Sequence, residues 1–221
     1  MAIDLKKFQL FSTLPQNIIQ NLFKEHRLLK LKRGDYLYHS GDEVKNLFLI
    51  EKGLVGLISI TPKGGEHLLR LYKSGQMFGH RALFADERYF GSSQALEPSD
   101  IIVIPSFCIN RLIDIYPKLA KVFLQLLSQE LRLAEQQRVM ISESDVEARV
   151  AGALLYIKQV DSERNWTRKE IADFCGSTGP TVIKVIIKFG EMGLIRFHGR
   201  KIEILHKDRL LKLTQFTSKD F

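Results

Sequence analysis

The sequence predicts an α+β protein in three parts: an N-terminal β-roll of jelly-roll type, a long helix, and a C-terminal winged helix-turn-helix. Three observations predict it. Residues 27–104 carry short β-like runs divided by glycines, with no helical period until about Arg81. From Pro117 onward, Leu119, Leu126, Leu133 and Met140 recur every seven residues. Residues 166–205 read as two short capped helices followed by two β-like runs around a glycine turn. The expected boundaries are 1–116, 117–143 and 144–221.

Taken in order, residues 1–25 look helical, with Phe8, Leu10, Phe11 and Leu14 before Pro15 and Ile18, Ile19 and Leu22 after it. The β-like runs are Arg27–Leu31, Tyr36–Tyr38, Leu47–Glu51, Leu54–Ile60, His67–Tyr72, Ser93–Leu96 and Ile101–Ile104. Gly34, Gly41, Gly53, Gly64, Gly65 and Gly75 punctuate them, a spacing that suits a sandwich or roll. A short helix is expected over Phe107–Ile115, and Pro117 opens the long one. Beside its leucine series runs a second series, Ala120, Leu127 and Ala134, so one stripe can face the parent domain and the other a partner chain. Residues 141–144 break the pattern as a hinge. Ser144, with Glu147 three residues on, caps the next helix, which runs to about Val160.

The stretch from Trp166 to Leu194 says most about use. Thr167 and Glu170 form a capping box, and Gly176 ends the helix in a left-handed turn near Cys175. Thr178 caps the next helix and Pro180 sits in its first turn. Val182, Val185, Ile186 and Phe189 make one apolar stripe, and Gly190 and Gly193 close the unit. Ile195–Phe197 and Lys201–Leu205 then read as a hairpin around His198-Gly199-Arg200. The second helix of such a unit can enter a DNA major groove. The segment is rich in Lys and Arg, as a phosphate-backbone binder requires, and the whole chain has a net charge of +8.

With 45% hydrophobic and 26% charged residues, the chain has the composition of a globular protein with a buried core. Its two cysteines, Cys108 and Cys175, have no CxxC neighbour, which argues against zinc and iron–sulfur sites and for buried thiols in a reducing compartment. The N-terminus does not read as a signal peptide, and no run of about 18 apolar residues suggests a membrane span. A cytoplasmic location is expected. No Ser/His/Asp set, paired-carboxylate motif or Gly-rich nucleotide loop points to an enzyme.

The order of roll, long helix and basic winged helix resembles the cyclic-AMP receptor protein / fumarate-nitrate regulator (CRP/FNR) superfamily of bacterial transcription factors. The matching segments are LKRGDYLYHSGDEVKNLFLIEKGLVGL, GQMFGHRALF, SSQALEPSDIIVIP and the winged helix, in that order. The resemblance implies a cyclic-nucleotide-binding-like sensor roll, a dimerisation helix, and a homodimer on a near-palindromic double-stranded DNA site, with RNA polymerase as a further partner.

The resemblance also implies sites. The ligand cassette maps to Gly79, His80, Arg81, Ala82 and Leu83, with Arg88, Ser92 and Ser93 nearby. Relatives that bind cyclic AMP carry a Glu directly after the cassette Gly and an Arg directly before a Ser or Thr. Here His80 replaces the Glu, and Phe90-Gly91 precede Ser92-Ser93. Both departures argue against cyclic AMP, so that neither a cyclic nucleotide nor haem on His80 is favoured; beside these two stand another small anion held by Arg81 and Arg88, and a cassette without ligand. On the DNA side the resemblance selects Thr167, Arg168, Thr178, Gly179, Pro180, Thr181, Ile183, Lys184, Lys188, Arg200 and Lys201. Lys184 is the strong donor among the recognition positions and Ile183 can meet a thymine methyl, so base readout is thin against phosphate contacts and DNA shape. The reading is therefore a DNA-binding transcriptional regulator; its rival is a small-ligand-binding protein of the same fold that has lost specific DNA readout.

Overall fold

In the computed structural model the described residues are 5, 8–12, 14–15, 17–19, 26–60, 65–85 and 87–214. Most of the expected helical stretch 1–25 lies outside them; inside, Gln9–Phe11 forms a single 3-10 turn. The chain divides into two compact units, Met1–Gly65 with Leu69–Gln129, and Glu66–Leu68 with Glu130–Phe221.

The first unit, to which all of β5 but Glu66–Leu68 belongs, holds the strands β1 (Arg27–Leu31), β2 (Tyr36–Tyr38), β3 (Asn46–Lys52), β4 (Leu54–Ile60), β5 (Glu66–Lys73), β6 (Met77–Phe78), β7 (Ser92–Ala95) and β8 (Ser99–Pro105). They form two four-stranded sheets, in the orders β1-β8-β3-β6 and β2-β7-β4-β5. The two-residue β6 was not legible as a strand, because Met77–Phe78 is too short to show a period of two.

Strands β3 and β8 sit side by side, with Leu47 opposite Ile104 and Leu49 opposite Ile102. Both read as unbroken apolar runs because both faces are buried. Phe48, Ile50, Ile101 and Val103 join Tyr38, Val55, Tyr72, Phe78 and Tyr89 in one core. Leu47, Leu49, Ile102 and Ile104 face the other way, onto helix α2 (Ser106–Ile115) and the start of helix α3 (Lys118–Glu143). There they meet Cys108, Ile109, Leu112, Leu119 and Phe123.

Where β3 gives way to β4, Gly53 has φ 101°, and a Cβ on it would lie 2.2 Å from Ser99 Oγ and 2.7 Å from Ser99 Cα. Ser99 Oγ is held by the Leu54 N–H at 3.3 Å and itself donates to the Glu97 carbonyl at 2.8 Å, so it cannot swing clear cheaply. Gly53→Ala is expected to destabilise the roll by about 2–4 kcal/mol, combining the left-handed penalty with overpacking. Urea unfolding should show a lower midpoint with an unchanged m-value.

Helix α3 is continuous to Glu143. This corrects the hinge expected at 141–144: Ile141 to Glu143 continue the helix, and the break falls at Ser144. The cap is also corrected. Asp145, not Ser144, caps helix α4 (Val146–Val160), accepting from the Ala148 N–H at 2.8 Å. Arg149 then donates from Nη1 to the Ser144 carbonyl at 3.0 Å, and from Nε to the Cys175 carbonyl at 3.1 Å.

On α3, Leu119 and Phe123 are buried in the roll, whereas Leu124 and Leu131 are 64% and 61% exposed. Leu126 is half-buried and Leu133 is 40% exposed. The fully exposed leucines therefore fall beside the Ala120, Leu127 and Ala134 series rather than in the series that begins at Leu119. Leu119 is drawn to the roll because the first turns of α3 complete its core.

The second unit continues with helix α5 (Arg168–Cys175), helix α6 (Gly179–Glu191), strands β9 (Ile195–His198) and β10 (Lys201–Ile204), and helix α7 (Lys207–Leu213). Trp166, Ile171, Phe174, Val182, Ile186, Phe189, Ile195, Ile202 and Leu210 are buried within it. Tyr156 of α4 stacks on Phe174 of α5, with centroids 4.7 Å apart.

Candidate functional site

The winged helix is positioned by local chemistry that the sequence dictates. The Thr167 hydroxyl accepts from the Glu170 N–H at 3.1 Å, and Glu170 Oε2 accepts from the Thr167 N–H at 2.8 Å, completing the capping box. Gly176 closes α5 in the left-handed region at φ 62°. Thr178 caps α6, its hydroxyl accepting from the Thr181 N–H, and the two hydroxyls lie 2.8 Å apart. Val182, Val185, Ile186 and Phe189 are buried, which turns Pro180, Ile183, Lys184, Ile187 and Lys188 outward. Ile183 and Ile187 are each 44% exposed. Ile187 is a further outward residue beyond the expected set, and its signal in the sequence is its place four residues after Ile183 and off the buried stripe.

In the wing, Lys201 pairs with His198 across a two-residue turn, and Gly199 has φ 58°. A positive φ at the first turn residue is what primed hairpin turns require. Arg200 and Lys201 are exposed at its tip. Arg168 differs from its expected role as a surface cation: Nη2 donates to the Gly199 carbonyl at 2.9 Å, tying the start of α5 to the wing. Burial holds its guanidinium below the ordinary arginine value. Thr167 likewise spends its hydroxyl on the cap. Lys188 pairs with Glu147 Oε1 at 2.5 Å, so part of its charge is already neutralised. Lys184 on α6 and Arg200 and Lys201 on the wing are exposed cations.

In the roll, Gly79 has φ 90°, and a Cβ there would lie 3.1 Å from the Asn46 carbonyl oxygen and from the Phe48 ring. Helix α1 (His80–Ala85) follows. Gly79, Arg81, Ala82 and Arg88 line a cavity of about 210 Å³ with Tyr38, Tyr72, Tyr89 and Phe90. That lies below the roughly 300–1,000 Å³ usual for small-molecule pockets. Burial, then the neighbouring Tyr72 and Tyr89, push the Tyr38 phenol far up. Burial also pushes the Tyr89 phenol up to about 12, and Tyr89 donates to the Asn46 carbonyl at 3.1 Å. The wall is therefore neutral, and the cavity's charges come from Arg81, Glu87 and Arg88.

His80, Leu83, Ser92 and Ser93 do not line this cavity, and Arg88, which does, is also bound to its own loop. His80 is fully buried, with its ring 6.5 Å from that of Phe123, and does not line the cavity. Leu83 packs on the apolar core around Phe123 instead of a ligand. Ser92 and Ser93 are buried: Ser92 Oγ accepts from the Ser40 N–H at 3.0 Å, and Ser93 pairs with Tyr38 across β7 and β2. Arg88 donates to the Gly41 carbonyl at 2.9 Å and lies 4.0 Å from Glu43, pinning its own loop. Lys45 first, then Arg88, hold the Glu43 carboxyl below its ordinary range.

Gly91 shows why no phosphate-binding arginine stands before Ser92. A Cβ there would lie 2.9 Å from the Ile58 carbonyl oxygen of β4, so the backbones approach too closely for any side chain. Both cysteines are free and buried, and burial pushes the Cys175 thiol up to about 11. Among the described residues no group of three or more His, Cys, Asp or Glu could hold a metal ion.

Residues 28–116 match the cyclic nucleotide-binding domain, and residues 148–213 match the Crp-like helix-turn-helix domain. The chain is 26% identical over 192 residues to the fumarate and nitrate reduction regulatory protein of Vibrio cholerae, covering 83% of this chain and 76% of the relative. It is 27% identical over 192 residues to the transcriptional activator protein anr of Pseudomonas aeruginosa, covering 83% and 78%. A solved CRP/FNR-family transcriptional regulator from Thermus thermophilus superposes with a TM-score of 0.70 at 26% identity, over 86% of this chain and 99% of that one. The chain belongs to the CRP/FNR superfamily and is a DNA-binding transcription regulator of that type, not an enzyme. No helix among the described residues is long and apolar enough to cross a membrane.

Proposed function

We propose that this regulator works as a cytoplasmic homodimer that recognises a near-palindromic duplex and acts on RNA polymerase. The observation that carries specific binding is α6 itself: four buried residues fix its roll angle, and an outward face stands free beside a wing tipped by Arg200 and Lys201. Dimerisation is supported by the exposed seam on α3. Ala120, Leu124, Leu127, Leu131 and Ala134 are spaced four, three, four and three residues apart, the pattern of a left-handed coiled coil.

A gel shift of the full chain against pooled random duplexes at moderate salt tests the reading. Enrichment of particular sequences supports it; equal retention of every sequence favours the rival protein without specific readout. Titration at several salt concentrations then sorts the contacts. Lys201→Ala should weaken all sequences alike and lower the salt slope by about two in a dimer, one phosphate contact per subunit. Lys184→Ala should cost about 1–3 kcal/mol per half-site at the base it reads, with less change in slope.

The roll is proposed not to use cyclic AMP as its effector. The ribose Glu is replaced by a buried His80, and the phosphate Arg position is a glycine wedged against β4. Losing two charge-assisted hydrogen bonds of about 1.5–3 kcal/mol each weakens affinity by a few hundredfold or more. Calorimetry should show no cyclic AMP binding in the low-micromolar range; binding there would mean that Arg81 supplies the missing contact.

A further inference from the structure

We propose that α6 recognises thymine through its methyl group, using an apolar ridge of Pro180, Ile183 and Ile187. The inference deepens the reading of α6 as a specific DNA reader and rests on it. These three residues fall at i, i+3 and i+7, one stripe on the outward face of the helix. All three are exposed, and the two isoleucines are 44% exposed each. The domain core has no use for them, because Val182, Val185, Ile186 and Phe189 already bury the opposite side. Lys184 and Lys188 follow each isoleucine directly; Lys184 borders the ridge with an exposed positive charge that complements a phosphate backbone, while Lys188 is paired with Glu147.

Of the four bases, only thymine presents a methyl group in the major groove. Of the side chains that can grip guanine or adenine with two hydrogen bonds, Arg, Asn and Gln do not occur between Gly179 and Glu191, which leaves Lys184 and Lys188, and Lys188 is already paired with Glu147. The ridge can exclude water over a methyl but cannot satisfy a polar edge. Ile183 and Ile187 stand about 6 Å apart along the helix axis, a span of roughly two base-pair steps. The half-site is therefore selected for thymines at two nearby steps, with Lys184 as the polar supplement.

The test starts from the duplex that the full chain enriches from a random pool. Each thymine of a half-site is replaced by deoxyuridine, which removes the methyl and leaves every hydrogen-bonding atom in place. Replacement at both contacted steps of one half-site is expected to lower affinity about sixteenfold, or about fourfold per buried methyl. Changing the same thymines to cytosine should lose at least as much, and changing them to 5-methylcytosine should recover part of the loss. Ile183→Ala with Ile187→Ala should bring the thymine-to-deoxyuridine ratio to about one, while binding to scrambled duplex persists and shows that the domain is folded.

The proposal is overturned if deoxyuridine is neutral at every step of an enriched site. It is equally overturned if the penalty survives in the double variant; the exposed isoleucines would then belong to a protein contact. If no sequence is enriched, the specific-readout reading fails and takes this proposal with it.

Discussion

Leu124→Glu together with Leu131→Glu is expected to convert the protein to monomers. Among the described side chains of α3 the two leucines are the most exposed large apolar ones, and they lie seven residues apart on one side of it. In a coiled-coil pair they would insert between side chains of the partner helix and lose contact with water. Glutamates there would bring four unpaired charges into the seam of one dimer, at a cost of several kcal/mol. Neither residue takes part in the roll core, which draws on Leu119 and Phe123 from the same helix, so each unit should fold as before. Sedimentation should show monomer at micromolar concentration, and affinity for a two-half-site duplex should fall by about 10²–10⁴ as the second half-site stops being an intramolecular partner. Leu133→Glu is the control. It lies two residues from Leu131, about 200° round the helix, and should leave the dimer intact.

The second large effect is expected inside the DNA-binding unit. Arg164 Nη2 lies 2.8 Å from Glu170 Oε1, with only 9% and 12% of the two side chains exposed. The guanidinium also sits 4.8 Å from the centroid of the buried Trp166 ring. Glu170 is at once the partner of Arg164 and the N3 member of the capping box, so the pair joins the loop before α5 to its first turn. Arg164→Ala leaves a buried carboxylate without its counter-charge and should destabilise the winged helix by about 3–5 kcal/mol at neutral pH.

The pH dependence follows from the same pair. Burial opposes ionisation of Glu170, but the Thr167 N–H and Arg164 outweigh it and hold the carboxyl below its ordinary value of 4.5. Stability from this group is complete above 4.5 and is lost as pH falls through the lowered value in the folded state. Thermal unfolding should therefore show wild type and Arg164→Ala far apart at neutral pH and converging in acid. A constant gap across that range would mean that the pair does not contribute through its charges.

Much of the fold was legible because its signals are local. Capping boxes, a left-handed glycine and a two-residue hairpin depend on residues a few positions apart, and Thr167, Gly176, Thr178 and Gly199 act where the pattern put them. The strands were legible for the same reason, apart from β6. The cap at Asp145 rather than Ser144 was a local miss; the other failures depended on distant neighbours. The leucine series on α3 was read by its period alone, but Phe123 and the roll claim Leu119 and shift the exposed seam to Leu124 and Leu131. The cassette was mapped by order along the chain, which cannot tell that His80 turns toward Phe123 while Arg81 turns toward the cavity. Arg168 looked like a phosphate contact because its charge is visible in sequence and its bond to Gly199, thirty-one residues on, is not.

The most direct test compares an enriched inverted-repeat duplex with the same duplex carrying one scrambled half-site, titrated with the full chain at fixed salt while stoichiometry is read by sedimentation. Half-sites about 10–10.5 bp apart, centre to centre, match a two-fold dimer of helix-turn-helix units. A two-fold dimer requires two chains per intact duplex and an affinity loss of about two orders of magnitude or more on scrambling one half. One chain per duplex, with affinity unchanged by the scramble, would contradict it.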